Sequence, residues 1–390
     1  MDISYILNEL GEERSQYFDA VAPPVIQTSN FTFPNVEAMR QNLQREYDVP
    51  FYTRGNNPTV QILRKKLAAL EGAEDALVLA SGSAAISAAI VANVAQGDHV
   101  VCVAKPYSWT TRLLQNLLSR FGVTTTFVDG TDVRNFEAAL QANTKIIYLE
   151  SPNTFTFELQ DLEAVAKLAK SKGILTMIDN SYSTPLYQQP IRLGIDISIH
   201  SASKYIGGHS DVIAGVICGT EEMMRKIFHS EYMTFGGIIA PMNAWLLLRG
   251  LRTLPIRLEQ SSRSAAKVVE FLENHPAVAQ VYYPFSTKHP QYDLARRQMS
   301  GCGGLMTISL KTDQIADVDQ FANALRRFLL GVSWGGHESL VFPSSVGYST
   351  SRPPGDPDRD FNFVRLYVGL EDPEVLIADL NQALAHIATS

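Results

Sequence analysis

No stretch of the chain is apolar for long enough to suggest a membrane span. The most apolar window, residues 76–95, is interrupted by Ser81, Gly82, Ser83 and Asn93, so it is expected to form a buried strand, a turn and a buried helix. The opening MDISYILNELGEERSQYF turns acidic early and has no apolar secretory core. Cysteine is scarce: Cys102, Cys218 and Cys302 lie far apart, and no two have metal-ligand spacing. Three thiols cannot pair fully, so a reducing compartment, the cytoplasm, is expected, with no metal centre. A basic stripe is also missing; the net charge is −7 and the pI about 5.7. That composition argues against a nucleic-acid partner. There is no internal repeat and no low-complexity tract.

What remains is an ordinary globular composition, 45% hydrophobic and 19% charged over 390 residues. That length exceeds one simple core, so two domains, or a large one with a smaller companion, are expected. Residues 21–33, VAPPVIQTSNFTF, suggest an extended arm of the kind that packs on another subunit, and 34–47 a short amphipathic helix. From Thr59 a rhythm begins. TVQILRKKLAALEG places Ile62, Leu63, Leu67 and Leu70 on one helical stripe and stops at Gly72. Strands are predicted at 76–80, 98–103, 124–129, 145–151, 174–181, 196–203 and 212–217, with helices between several of them, including 111–122 and 162–173. This alternation predicts an α/β fold, a largely parallel sheet covered on both faces. Ligands bind at the strand ends of such sheets. Beyond Gly236 the pattern changes. Residues 242–276 predict one or two long helices, kinked or broken at Pro255, and 304–311, 317–328 and 364–371 predict a smaller α/β domain with an antiparallel sheet. The resulting division is an arm, 1–58, a cofactor-binding domain, 59–245, and a smaller C-terminal domain, 246–390.

Three features carry chemistry. In IHSASKYIGGHSD (199–211), Lys204 stands between hydroxyl residues and a glycine pair; it is either a solvated charge or an amine held for reaction. Asp179 closes the apolar run ILTMID, either as a turn residue or as a buried anion that needs a cationic partner. Ser81-Gly82-Ser83 sits between a strand and a helix, either as a plain N-cap or as a phosphate site built from free N–H groups. Neither GxxxxGK nor GxGxxG is present at that turn. An amine, a buried anion and a phosphate turn on one parallel sheet are what pyridoxal 5'-phosphate requires for its aldehyde, ring nitrogen and phosphate.

At these residues the chain resembles the cystathionine γ-synthase and cystathionine β-lyase family of pyridoxal-phosphate enzymes, and looks most like the bacterial β-lyases. The resemblance runs from about Pro23 to Ile387 through YTRGNNPT (52–59), ALEGAEDALVLASGSAAI (69–86), GDHVV (97–101), IDNSYSTP (178–185), SASKYIGGHSD (201–211), RGLRTL (249–254), SWGGHESL (333–340) and VRLYVGLED (364–372). It implies an aspartate-aminotransferase-like fold of type I, with a mostly parallel seven-stranded sheet. It implies a small-molecule amino-acid substrate and a homotetramer built as a dimer of dimers. Lys204 would hold the cofactor covalently and move protons. Asp179 would face the ring nitrogen and Tyr107 would stack on the ring, although by itself Tyr107 could be any core or surface aromatic. The backbone of Gly82 and Ser83 and the hydroxyls of Ser201 and Ser203 would hold the phosphate, joined by Tyr52 and Arg54 from the neighbouring subunit. Arg365 would take the substrate carboxylate, with Ser333 assisting through its backbone. His209 and His337 are expected to be structural.

Several details favour β-cleavage. Trp334 in SWGG, Val332 before it, and ESPNTFTFELQD (150–161), with Thr154 where many relatives have asparagine, resemble β-lyases. Trp109 stands where methionine γ-lyases favour cysteine. Against this, Gly55 replaces an arginine of some β-lyases, so a distal carboxylate would need another partner such as Arg112, although a solvated first turn of the helix at 111–122 suits that residue better. Shorter S-substituted cysteines therefore stay open as substrates, as do a γ-synthase, a γ-lyase and a homoserine-ester sulfhydrylase within the family. A non-catalytic binding protein on the same fold is the reading of another class, and Lys204, Asp179 and Arg365 argue against it. The Pro-, Gly- and Asp-rich 348–361 is expected to be an irregular loop near the entrance.

Overall fold

The computed structural model describes residues 1–347 and 361–387; all of the loop expected at 348–361 except Phe361 lies outside them. Strands that are apolar along their whole length must be covered on both faces, and the chain meets that demand with one large sheet. Its members are β1 (Asp75–Leu79), β2 (His99–Val103), β3 (Thr124–Val128), β4 (Thr144–Glu150), β5 (Leu175–Asp179), β6 (Ile197–Ser201) and β7 (Gly215–Gly219). The order across the sheet is β1-β7-β6-β5-β4-β2-β3. Pairing is parallel except along β7, which runs antiparallel to both β1 and β6. The mostly parallel seven-stranded sheet is thus as expected. One face is packed by the helix Gly82–Val91 with the cluster around Ile86, Ile90 and Met177, and the other by Leu162–Lys172 with Val165, Ala169 and Ile178.

A second sheet, of order β10-β11-β12-β9-β8, is antiparallel apart from the β10/β11 pair. Its strands are β8 (Val278–Tyr282), β9 (Leu305–Leu310), β10 (Leu329–Leu330), β11 (Leu340–Pro343) and β12 (Phe363–Tyr367). One helix, Pro241–Glu273, runs past both sheets with Pro255 inside it. The expected break at Pro255 does not occur. Leu251, Leu254 and Leu258 are buried on either side of it, and Arg257 reaches back with Nη2 to the Gly250 carbonyl at 2.8 Å. Tertiary burial here outweighs the missing proline N–H.

Other boundaries move as well. The segment expected at 111–122 starts at Ser108 and passes through a π turn, Leu113–Leu117, and a 3-10 turn, Leu118–Phe121. The strand expected at 212–217 is Gly215–Gly219, and the helix expected at 317–328 is Ile315–Ala324. The opening residues form a helix, Ile3–Asn8, that the sequence reading did not anticipate. It buries Ile6 and Leu7, and Lys66 Nζ donates to their carbonyls at 2.9 and 3.1 Å. By contrast, the helix Val36–Leu43 buries nothing; Val36, Met39 and Leu43 stand exposed along one stripe.

The segment after β6 is pinned to the long helix. Arg257 Nη1 donates to the Tyr205 carbonyl at 2.9 Å, and burial lowers its pKa to about 10. Gly208 has φ +70°, and a Cβ there would lie 1.8 Å from Arg257 Nη1. Gly208→Ala is expected to destabilise the cofactor-loaded protein by about 2 kcal/mol or more, read as a lower urea midpoint.

Candidate active site

The carboxyl ends of β4, β5 and β6 come together in register: Asp179 is opposite Glu150 on one side and Ile199 on the other. A carboxylate here is nearly dry. Asp179 is 9% exposed, and burial raises its pKa; bonds from Ser181 and the charges of His200 and Lys204 pull it back down. The Ser181 N–H and hydroxyl donate to Asp179 Oδ1 at 3.0 and 2.5 Å. The same hydroxyl oxygen accepts the Ser201 N–H at 2.7 Å, tying the end of β6 to the aspartate. Among the described residues nothing donates to Oδ2. Behind the pair, His200 Nε2 meets Glu71 Oε2 at 2.8 Å, both side chains fully buried.

Lys204 follows β6 in a turn that His209 helps to hold, its Nδ1 lying 2.7 Å from the Gly207 carbonyl. The amine donates to Ser333 Oγ at 2.5 Å and lies 5.5 Å from the centre of the Trp334 ring. Burial, and then the Arg365 charge, lower its pKa to about 8, with Asp179 opposing. Trp334 is wedged between Tyr205 and Tyr182, with ring centroids at 5.4 and 6.4 Å. Ser333 takes φ +78°, a strained conformation for a residue with a Cβ. Its carbonyl accepts from Arg365 Nη2 at 3.4 Å. Ser333 thus touches Lys204 through its hydroxyl and Arg365 through its backbone. Arg365 sits on β12 opposite Phe342. Its guanidinium lies 5.2 Å from the Phe342 ring and 5.5 Å from Phe155, so two aromatic faces fix its plane.

The helix Gly82–Val91 begins against the end of β6: a Cβ on Gly82 would lie 2.9 Å from the Ser201 Cβ. Ser81 caps the helix by accepting the Ala84 N–H at 3.0 Å, and the N–H groups of Gly82 and Ser83 find no partner among the described residues. Two unpaired donors beside the Ser201 hydroxyl form a cradle suited to a phosphate. Ser203 Oγ is engaged with the Ala214 backbone, accepting its N–H at 3.0 Å. The donor set therefore fits pyridoxal phosphate: an amine able to be neutral, a dry carboxylate with an unused oxygen, and orphan N–H donors at a glycine that admits no side chain.

Tyr107 stands just before the short helix Ser108–Arg112, the residue 38% exposed, and its N–H donates to Glu150 Oε2 at 2.6 Å. Thr154 Oγ1 donates to Glu150 Oε1 at 2.6 Å. Sequence reasoning missed Glu150, although it closes an apolar strand just as Asp179 does. Four residues named from the sequence find their partners outside this cluster. Arg112 is exposed with its guanidinium 5.2 Å from the Trp109 ring centre, the solvated alternative. Tyr52 and Arg54 pair with each other on the surface, 5.6 Å from guanidinium to ring centre. His337 is exposed beside Glu338.

Comparison with known proteins bears on the family and the fold. The model of the Cys/Met metabolism PLP-dependent enzyme family matches residues 6–385. An L-methionine gamma-lyase of Treponema denticola is 40% identical over 94% of this chain and 93% of its own length. A cystathionine beta-lyase of Bacillus subtilis is 36% identical over 95% and 93%. The crystal structure of metB from Corynebacterium glutamicum, 31% identical, superposes with a TM-score of 0.92 and covers 100% of this chain and 99% of that one.

Only a neutral amine attacks an aldehyde, so the pKa of about 8 at Lys204 sets a pH dependence. The rate at which cofactor-free protein captures pyridoxal phosphate, followed as growth of its visible band, is expected to rise with pH and level off above about pH 8.

Proposed function

The chain belongs to the Cys/Met metabolism PLP-dependent enzymes, and from that premise we propose that it is a carbon–sulfur lyase that performs β-elimination on L-cystathionine or a related S-substituted cysteine. Pyridoxal phosphate, when bound, stabilises the negative charge left on the substrate α-carbon by proton removal. Lys204, Asp179 and Tyr107 would hold its aldehyde, ring nitrogen and ring face; Gly82, Ser83 and Ser201 would hold its phosphate, and Ser203 would join them only by releasing the Ala214 backbone.

The protein's part is orientation and proton transfer. Arg365, its plane fixed by Phe342, Phe155 and the Ser333 carbonyl, takes the substrate carboxylate with two parallel bonds. That places the α-carbon beside Lys204. The Lys204 amine, lowered towards neutrality by burial and by Arg365, takes the α-proton. The resulting ammonium returns the proton to the sulfur, which leaves with the C–S bonding electrons. Hydrolysis of the remaining three-carbon unit gives pyruvate and ammonia, with homocysteine as the thiol when cystathionine is the substrate.

The observation that carries β- over γ-chemistry is the seating of Lys204, pinned by Ser333 Oγ at 2.5 Å and covered by Trp334. A β-elimination needs one proton, from the α-carbon. A γ-elimination also needs one from the β-carbon, so its base must swing outward. The second reading, γ-elimination, draws on the 40% identity to the L-methionine gamma-lyase.

The active site is proposed to be shared between subunits of a homotetramer, Tyr52 and Arg54 of the 1–58 arm serving the neighbour's cofactor across the 59–245 domain, with 246–390 closing over the substrate. The exposed stripe Val36, Met39 and Leu43 supports this, because a soluble chain seldom leaves such a stripe uncovered.

With cystathionine the purified enzyme is expected to release pyruvate and homocysteine; 2-oxobutyrate and cysteine in their place would establish γ-cleavage. Lys204→Ala is expected to fold normally, to lose the borohydride-bleachable visible band, and to turn nothing over. Arg365→Lys is expected to raise KM about tenfold to a hundredfold with a smaller change in kcat, since an ammonium cannot form the paired bonds.

A further inference from the structure

Glu150 has no part in the roles above, yet it is one of the most constrained side chains in the site. It is 8% exposed, it ends β4 as Asp179 ends β5, and the two are partners in register. Each oxygen is engaged: Oε2 with the Tyr107 N–H and Oε1 with the Thr154 hydroxyl, both at 2.6 Å. The first bond fixes the segment that carries Tyr107. The second fixes the 151–157 turn, whose Phe155 has φ +69° and packs on Arg365.

We propose that Glu150 is a positioning residue that clamps Tyr107 and the Thr154–Phe155 turn to the strand end beside Asp179, so that the cofactor's ring face and the arginine for the substrate carboxylate are set by one side chain. The proposal rests on the cofactor reading of Lys204, Asp179 and Tyr107.

Two facing buried carboxyls cannot both carry charge without a large penalty. Burial raises the Asp179 pKa too, but the Ser181 donors and the His200 and Lys204 charges on its side favour its charged form. The other groups around Glu150 are Tyr148 of β4 and Cys102 of β2, both pushed well up by burial and neutral. Burial, and then the Asp179 charge, raise the Glu150 pKa, which favours its protonated form, while the Thr154 and Tyr107 bonds oppose them. Both Glu150 oxygens accept, Oε2 from the Tyr107 N–H and Oε1 from the Thr154 hydroxyl. A glutamine side chain keeps a carbonyl for the Tyr107 N–H, and its amide N–H can donate to the Thr154 hydroxyl once that hydroxyl rotates to accept; alanine removes both bonds.

The test compares native, Glu150→Gln and Glu150→Ala holoenzymes by the dissociation constant of pyridoxal phosphate and by the induced circular dichroism of its visible band, which reports ring orientation. Glu150→Ala is expected to weaken cofactor binding about tenfold or more, the equivalent of losing two hydrogen bonds, and to diminish the induced signal. Glu150→Gln is expected to restore both, with a dissociation constant within about threefold of native. Should Glu150→Ala not fold, Thr154→Val removes one bond at constant volume, and a rise of about threefold or more in the dissociation constant supports the clamp. Cofactor affinity and induced signal unchanged in Glu150→Ala, or in Thr154→Val where that stands in, would overturn the proposal alone. A native protein with no visible band at all would overturn the reading of Lys204, and this inference with it.

Discussion

The burial of a carboxylate, Asp179, at the end of a dry parallel strand is the constraint that the surrounding structure answers. A lone anion in that position would take up a proton and become useless as a counter-charge. Two donors from Ser181 and the charges of His200 and Lys204 work against that. The hydroxyl of Ser181 also receives the Ser201 N–H, so the same side chain that supports the anion fixes the end of β6 from which the Lys204 turn departs. Electrostatic support and backbone placement are therefore one network.

The Lys204 amine stands between the two sheets. Its turn follows β6 of the large sheet, while Ser333, Trp334 and Arg365 come from segments of the small one. Loss of solvent, and then proximity to Arg365 on the small sheet, lower the Lys204 pKa, with Asp179 opposing. Arg257, reaching from the long helix to the Tyr205 carbonyl, secures the turn from the opposite side. A buried cation in that place also explains why Gly208 carries no side chain.

The large sheet and its order of elements were legible because period and apolar runs are local properties of the chain. So were Lys204, Asp179 and the Ser-Gly-Ser turn, each a polar group at the end of an apolar strand. The misplacements share a cause. Pro255 remains in a continuous helix whose leucines are buried on either side of it, and the opening residues form a helix whose end carbonyls are held by Lys66, some sixty residues on, so tertiary packing supplies what local preference denies. Arg112 shows the converse: an arginine in a plausible place whose partner proves to be Trp109 on the surface.

Composition and pattern alone determined the fold class, the kinds of groups at the strand ends, and hence the cofactor chemistry they suit. They could not determine that Glu150 opposes Asp179, that Ser333 offers its hydroxyl to Lys204, or that Phe155 and Phe342 enclose Arg365. Those facts join residues as much as 210 positions apart. They exist only once strand register and the docking of the two sheets are fixed, because a hydrogen bond or an aromatic contact is decided by distance in space, and sequence separation says nothing about it.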